Sequence, residues 1–252
     1  MPTRPWRLPE GPLRRSVLAA GTGGLVLTWF IAQGLATALF HGVPRPMLSV
    51  AIFGAMGAWA AGAAGAGHPF ARFGPANTVT TARLVLVALT GGLIGSPLPP
   101  AAAWVTVAVA VTVALLDGVD GWLARRSGLA SPFGARFDME TDALFILVLS
   151  ALVWTTDKAG AWVLAAGLMR YAFVAARIVL PWMAGPLTPT LRGKTVAVVQ
   201  FVGLAAALAL AVTRPWSAGI AATALLTLTW SFAVDVGRLR AADGRRWRRG
   251  RR

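Results

Sequence analysis

Long uncharged apolar stretches alternate along the chain with short connections that carry arginine, proline or acidic residues. Residues 16–40, 46–67, 195–213 and 215–234 contain no Asp, Glu, Lys or Arg. A bilayer core roughly 30 Å thick needs about 20 apolar residues as a helix, so each stretch predicts one crossing. Residues 84–116 are also uncharged, but Ser96-Pro97-Leu98-Pro99-Pro100 divides them in two, because proline removes backbone donors and clashes inside a helix. Two further spans run over about 138–156 and 159–182, separated by Thr156-Asp157-Lys158. The pattern predicts an all-α, polytopic membrane helix bundle of about eight transmembrane helices. The first run is too long for the apolar core of a signal peptide and seven more spans follow it, so it reads as a retained helix.

Composition agrees and narrows the class. Of 252 residues, 56% are hydrophobic and 13% charged, which excludes an ordinary soluble globule and a disordered chain. Cysteine is absent, which excludes a disulfide scaffold and leaves the redox compartment open. The net charge of +15 follows the connections. Arg4, Arg7, Arg14 and Arg15 precede the first span. Later alternate connections carry Arg72, Arg83, Arg125, Arg126, Arg136, Arg192 and Lys194, and eight arginines lie between Arg238 and Arg252. The opposite connections hold Arg45, Lys158 and Arg214. Basic residues concentrate on the cytoplasmic side, so both termini are expected there. The Arg-rich tail, with Trp247, reads as a topology determinant in contact with anionic lipid rather than as a nucleic-acid site. Abundant Ala, Gly and Arg with two lysines fit a high-GC bacterial genome, hence a bacterial cytoplasmic (inner) membrane.

The acids give the functional clue. Five of nine lie in one 26-residue window: Asp117, Asp120, Asp138, Glu140 and Asp142. Asp117 and Asp120 are spaced i, i+3 at the end of the fourth span, and Asp138 and Asp142 are spaced i, i+4 at the start of the fifth, so each pair shares a helix face. Two antiparallel helices meeting there aim four carboxylates at one point, which is unfavourable unless cations neutralise it. Oxygen donors without histidine or cysteine suit magnesium, manganese or calcium better than zinc, and His41 and His68 lie outside the window. Glu140 is two residues from both Asp138 and Asp142 and is expected to point elsewhere. The plainer reading, in which these acids pair with Arg125, Arg126 and Arg136 to hold a loop, stays open on spacing alone.

Read in full, Asp117-Gly118-Val119-Asp120-Gly121-Trp122-Leu123-Ala124-Arg125, eight residues, then Gly134-Ala135-Arg136-Phe137-Asp138-Met139-Glu140-Thr141-Asp142 resembles the signature of the CDP-alcohol phosphatidyltransferase family. All eight fixed residues of D-x2-D-G-x2-A-R-x8-G-x3-D-x3-D are met. Pro75-Ala76-Asn77-Thr78-Val79-Thr80-Thr81-Ala82-Arg83 resembles the Pro-Asn-x-x-Thr-x-x-Arg stretch of many members, with Ala76 inserted. Gly193-Lys194-Thr195 with Gln200 resembles a segment of phosphatidylglycerophosphate synthases. The resemblance implies a basic segment with two additional helices over 1–69, a six-helix core over 70–237, and a cytoplasmic Arg-rich tail over 238–252.

The family moves a phosphoalcohol unit from a CDP-activated donor to an acceptor hydroxyl and releases CMP. The resemblance therefore implies an enzyme of phospholipid biosynthesis with two Mg2+ or Mn2+ ions held by Asp117, Asp120, Asp138 and Asp142. It implies Asp142 as the general base beside Asp138, and CDP contacts from Asn77, Thr80, Arg83, Gly121, Arg125 and Gly134. Tight helix packing is an equal reading for the two glycines. CDP-diacylglycerol is the favoured donor. Arg170 and Arg177 lie within the sixth span, seven residues apart, and a buried arginine calls for an anion or a polar cavity. With Arg192 and Lys194 they suggest an acceptor that carries phosphate: glycerol 3-phosphate first, inositol phosphate second, serine or a lipid alcohol after these. A soluble CDP-alcohol with a lipid acceptor is the alternative donor usage. A cation transporter and a silent scaffold are the competing classes, and a homodimer is expected by resemblance.

Overall fold

A computed structural model describes residues 7–39, 45–185 and 190–249, with side chains over 7–37, 45–185 and 190–243. His41 and the end of the Arg-rich tail lie outside the described residues. Among the described residues eight α-helices follow one another: α1 (Gly11–Gly34, continued by a π-helical turn, Leu35–Leu39), α2 (Pro46–Gly67), α3 (Pro75–Gly91), α4 (Pro100–Ser127), α5 (Pro132–Thr155), α6 (Leu164–Val179), α7 (Leu191–Leu208) and α8 (Trp216–Arg249). The number agrees with the spacing of apolar runs. Proline opens α2, α3, α4 and α5, where its missing N–H has no helical partner to lose and its fixed φ suits the first turn.

Two boundaries move from their expected places, and both matter for the acids. α5 begins at Pro132, because the Ser131 hydroxyl accepts the Gly134 N–H and caps the helix there. α4 continues through Gly118 and Gly121 to Ser127 and stops where Gly128 turns left-handed at φ +68°. The aspartates therefore lie within helices, about two turns or more from the four-residue connection, rather than at helix ends.

Among the described residues, six helices are long and apolar enough to cross a membrane, and α3 and α5 are outside that set. α3 has 17 residues, and the first half of α5 carries Arg136, Asp138, Glu140 and Asp142. These two lie inside the bundle. Eleven residues of α3 and twelve of α5 are buried, packed against each other and against α2, α4, α6 and α7. A helix shielded by neighbours does not need the hydropathy of one that faces lipid. One apolar cluster, with Phe145, Leu149, Leu152, Phe201, Leu204 and Leu208, joins α5 to α7 and α8; a second, with Val17, Phe53, Phe73, Leu84, Phe133 and Phe137, joins α1 and α2 to α3 and α5. The chain is thus an integral membrane protein built as a polytopic helical bundle.

The two ends of the bundle differ. At one end Arg45 donates from its backbone to the Gly92 carbonyl (2.8 Å) and from its guanidinium to the Gly95 carbonyl (2.9 Å). Lys158 Nζ reaches the carbonyls of Ala209 (3.1 Å) and Val212 (2.5 Å), and Arg214 pairs with Asp157 (3.2 Å). The three basic residues assigned to the sparse face thus tie its connections together. The acidic cluster lies toward the other ends of α3, α4 and α5.

At Gly167 the α6 backbone meets α5 so closely that an added Cβ would lie 2.4 Å from the Cα of Leu147. Backbone cannot yield as a side chain can. Gly167→Val is expected to lower stability by roughly 1–3 kcal/mol through overpacking, read as a drop in the detergent melting temperature.

Candidate active site

The site is built by three helices, and its centre is a cation. Asn77, Thr80 and Arg83 follow at steps of three along α3 and so share a face. The Arg83 side chain is fully buried. Its Nη1 donates to Asp120 Oδ2 (2.6 Å) and to Asp138 Oδ1, and lies 3.3 Å from Asp117 Oδ1. Its Nη2 donates to Asp142 Oδ1. The Thr80 hydroxyl adds a bond to Asp120 Oδ2 (3.2 Å). The i, i+3 pair of α4 and the i, i+4 pair of α5 thus converge on one guanidinium, whose planar fork offers several donors at once.

One guanidinium serves four carboxyl groups, so the acids of the cluster outnumber its cation by three. The exposures show where they are reachable. The Asp120 side chain is 6% exposed and forms the back of the cluster; Asp142, Asp138 and Asp117 open progressively, at 22%, 33% and 45%. Carboxylate oxygens of Asp117, Asp120 and Asp138 all lie within 4.8 Å of one another. This donor set is oxygen only, strongly anionic and partly open. Such a set fits hard divalent cations and, through them, a pyrophosphate.

The remaining residues singled out in the sequence fall into distinct places. Asn77 Nδ2 donates to the Phe73 carbonyl, and its Oδ1 would lie 2.8 Å from a Cβ built on Gly134. Gly134 therefore lets α3 and α5 touch. Gly121 lies under Arg125, whose Nη1 would be 3.5 Å from an added Cβ. Arg125 is exposed, as is Lys194 on the first turn of α7. Arg177 Nη2 donates to the carbonyls of Ala184 (3.2 Å) and Gly185 (3.0 Å). Arg192 pairs with Asp235 of α8 and lies over the Trp230 ring. Arg170 is bound by Glu140: Nε to Oε2 at 3.2 Å and Nη2 to Oε1 at 2.6 Å. The four cations suggested for the acceptor are thus each seated differently rather than gathered into one cluster.

Two roles escaped the sequence. Arg83, expected among the CDP contacts, is also the hub of the acids, and its position three residues after Thr80 on the face of Asn77 is the signal for it. The partner of Arg170 was also open. Glu140, the acid turned off the aspartate face, was the candidate left by elimination.

Four aspartates from two helices thus converge inside a membrane-embedded bundle as the candidate site. Residues 73–234, more than half of the chain, match the family model of CDP-alcohol phosphatidyltransferases, and the chain belongs to this family. Comparison with curated proteins and with solved structures gave no match. The protein is therefore a phosphotransferase of phospholipid biosynthesis, which uses a CDP-alcohol donor and an alcohol acceptor in the membrane.

Proposed function

We propose that the protein transfers the phosphatidyl group of CDP-diacylglycerol to the hydroxyl of a phosphate-bearing acceptor, glycerol 3-phosphate first and inositol phosphate second, at the cytoplasmic face of a bacterial inner membrane. The observation that carries this reading is the convergence of Asp117, Asp120, Asp138 and Asp142 on the single buried cation Arg83.

In the reaction the acceptor oxygen forms a bond to the phosphorus that bears the diacylglycerol. The bond from that phosphorus to the CMP oxygen breaks, and CMP leaves with the electron pair. The acceptor's hydroxyl proton passes to Asp142, whose side chain is partly open while one oxygen is fixed by Arg83 Nη2. Arg83 thereby orients both α5 aspartates, and Thr80 orients Asp120. The four aspartates would hold two Mg2+ or Mn2+ ions, which would neutralise charge on the pyrophosphate and on the departing CMP. Arg125, exposed beside Gly121, is assigned to a donor phosphate, and Asn77 with Gly134 to the nucleotide side. Arg170 commits Nε and Nη2 to Glu140, so Nη1 is the nitrogen assigned to the acceptor phosphate, with Arg177, Arg192 and Lys194 toward the same connection.

The test is CMP release from CDP-diacylglycerol by purified protein with Mg2+ or Mn2+, run with glycerol 3-phosphate, inositol phosphate, serine or no acceptor. Release that depends on glycerol 3-phosphate is expected. Release only with uncharged alcohols would remove the phosphate-bearing acceptor, and release only from a soluble CDP-alcohol given a lipid acceptor would reverse the donor.

A further inference from the structure

The α1–α2 pair lies outside the residues that match the family, yet it packs on α3 and α5, two of the three helices that carry the site. The Ser16 hydroxyl of α1 accepts the Phe73 N–H (3.1 Å) just before α3. His68 closes α2, its backbone N–H reaching the Ala64 carbonyl at 2.9 Å, and its ring then stands between two other segments. Nε2 is 2.8 Å from the Arg72 carbonyl and Nδ1 is 3.2 Å from the Ser131 hydroxyl.

The direction of each bond follows from what each atom can do. A carbonyl only accepts, so Nε2 carries the proton. In the neutral imidazole Nδ1 then accepts, and the Ser131 O–H donates to it. That hydroxyl oxygen in turn accepts the Gly134 N–H (3.0 Å) that caps α5. One chain of hydrogen bonds thus links the start of α5, the end of α2 and the segment leading into α3. Phe133 packs edge-on to the ring at 5.3 Å and stacks with Phe137, both against Phe73. The two helix starts touch where Gly134 meets Asn77.

From this junction the site is reached along unbroken helix. Asp138 is seven residues beyond Ser131, about two turns, and Arg83 is eight residues into α3, a little over two turns at about 3.6 residues each. A shift at the junction is carried to the bonds between Arg83 and the α5 aspartates.

We propose that His68 is a positioning residue for the transfer reaction: by joining Ser131 to the Arg72 carbonyl it sets the separation of α3 from α5, and through it the register of Arg83 against Asp138 and Asp142. His68 touches neither substrate nor the acids. The proposal rests on the family's reaction and not on which acceptor is used.

The absence of native cysteine permits a direct test. Spin labels on cysteines at the exposed positions Thr78 of α3 and Ala135 of α5 report the separation by dipolar broadening in the intact protein, without substrate. His68→Ala is expected to change that broadening. It is also expected to lower kcat for CMP release about 10- to 100-fold with the KM of donor and acceptor within about two-fold, as a small misplacement of reacting groups does. His68→Gln, whose amide supplies both a donor and an acceptor, is expected to recover most of both changes. Ser131→Gly removes the same bond from the other partner while leaving a residue tolerated at a helix N-cap, and carries the test if His68→Ala does not fold. Unchanged broadening, or changed broadening with unchanged kcat in folded protein, overturns the proposal. Because the label readout needs no turnover, a wrong acceptor leaves it standing.

Discussion

Asp138→Asn is expected to abolish turnover while the protein stays folded and becomes slightly more stable when no divalent cation is added. The reasons are both in the cluster. Asp138 offers one of the more open carboxylates and bonds to Arg83 through Oδ1, and an asparagine retains an oxygen for that bond. What it loses is a negative charge, and the site already holds three more acids than cations. Relief of repulsion worth about 1 kcal/mol would raise the melting temperature by about 2–4 °C in a chain of this size. The anionic donor set is what would bind and neutralise a pyrophosphate, so activity should fall by at least about 10³-fold. CMP release and a detergent melting curve on the same preparation check both parts. Loss of folded protein instead would mean that the acids serve the fold.

Arg83→Leu is expected to act in the opposite sense on stability. The guanidinium is fully buried and satisfies carboxylates from two other helices. Removing it leaves those acids facing one another within the bundle, a loss on the order of 3–5 kcal/mol for a buried charge network deprived of its partner. Melting should drop steeply and activity should vanish with it. Arg83→Lys is no substitute, because a single ammonium cannot present separate nitrogens to Asp142 and to the Asp120–Asp138 side. The paired measurement is diagnostic. A neutralised acid that stabilises and a removed cation that destabilises together identify a site kept strained for binding, whereas a plain structural salt-bridge network would weaken in both variants.

Much of this was legible in the chain. The count of eight helices followed from uncharged runs and from the prolines between them, and the acidic cluster followed from two helical spacings either side of a short connection. What misled was local. The expected start of α5 at Asp138 overlooked a Ser131 cap whose signal is a single hydroxyl before Pro132, and the uncharged run that ends at 116 understated α4, which runs on through Gly118 and Gly121 to Ser127. Distance across the fold was hidden as well. Arg83 is 37 residues from Asp120 and 59 from Asp142, and Arg170 is 30 from Glu140. A face can be read from spacing, but the partner that face meets depends on how α3 is enclosed by α4 and α5. His68 and Ser131, 63 residues apart, form their bond only because α2 returns to the mouth of α3.

The central claim, that these four aspartates serve CDP-alcohol transfer through bound divalent cation, is tested most directly by CMP release from CDP-diacylglycerol with glycerol 3-phosphate present. The purified protein is first chelated and then resupplied with Mg2+ or Mn2+. Release that is absent after chelation and returns with the ion is the expected result. Release that continues undiminished in excess chelator, or none from folded protein with any CDP-alcohol and either ion, would contradict it.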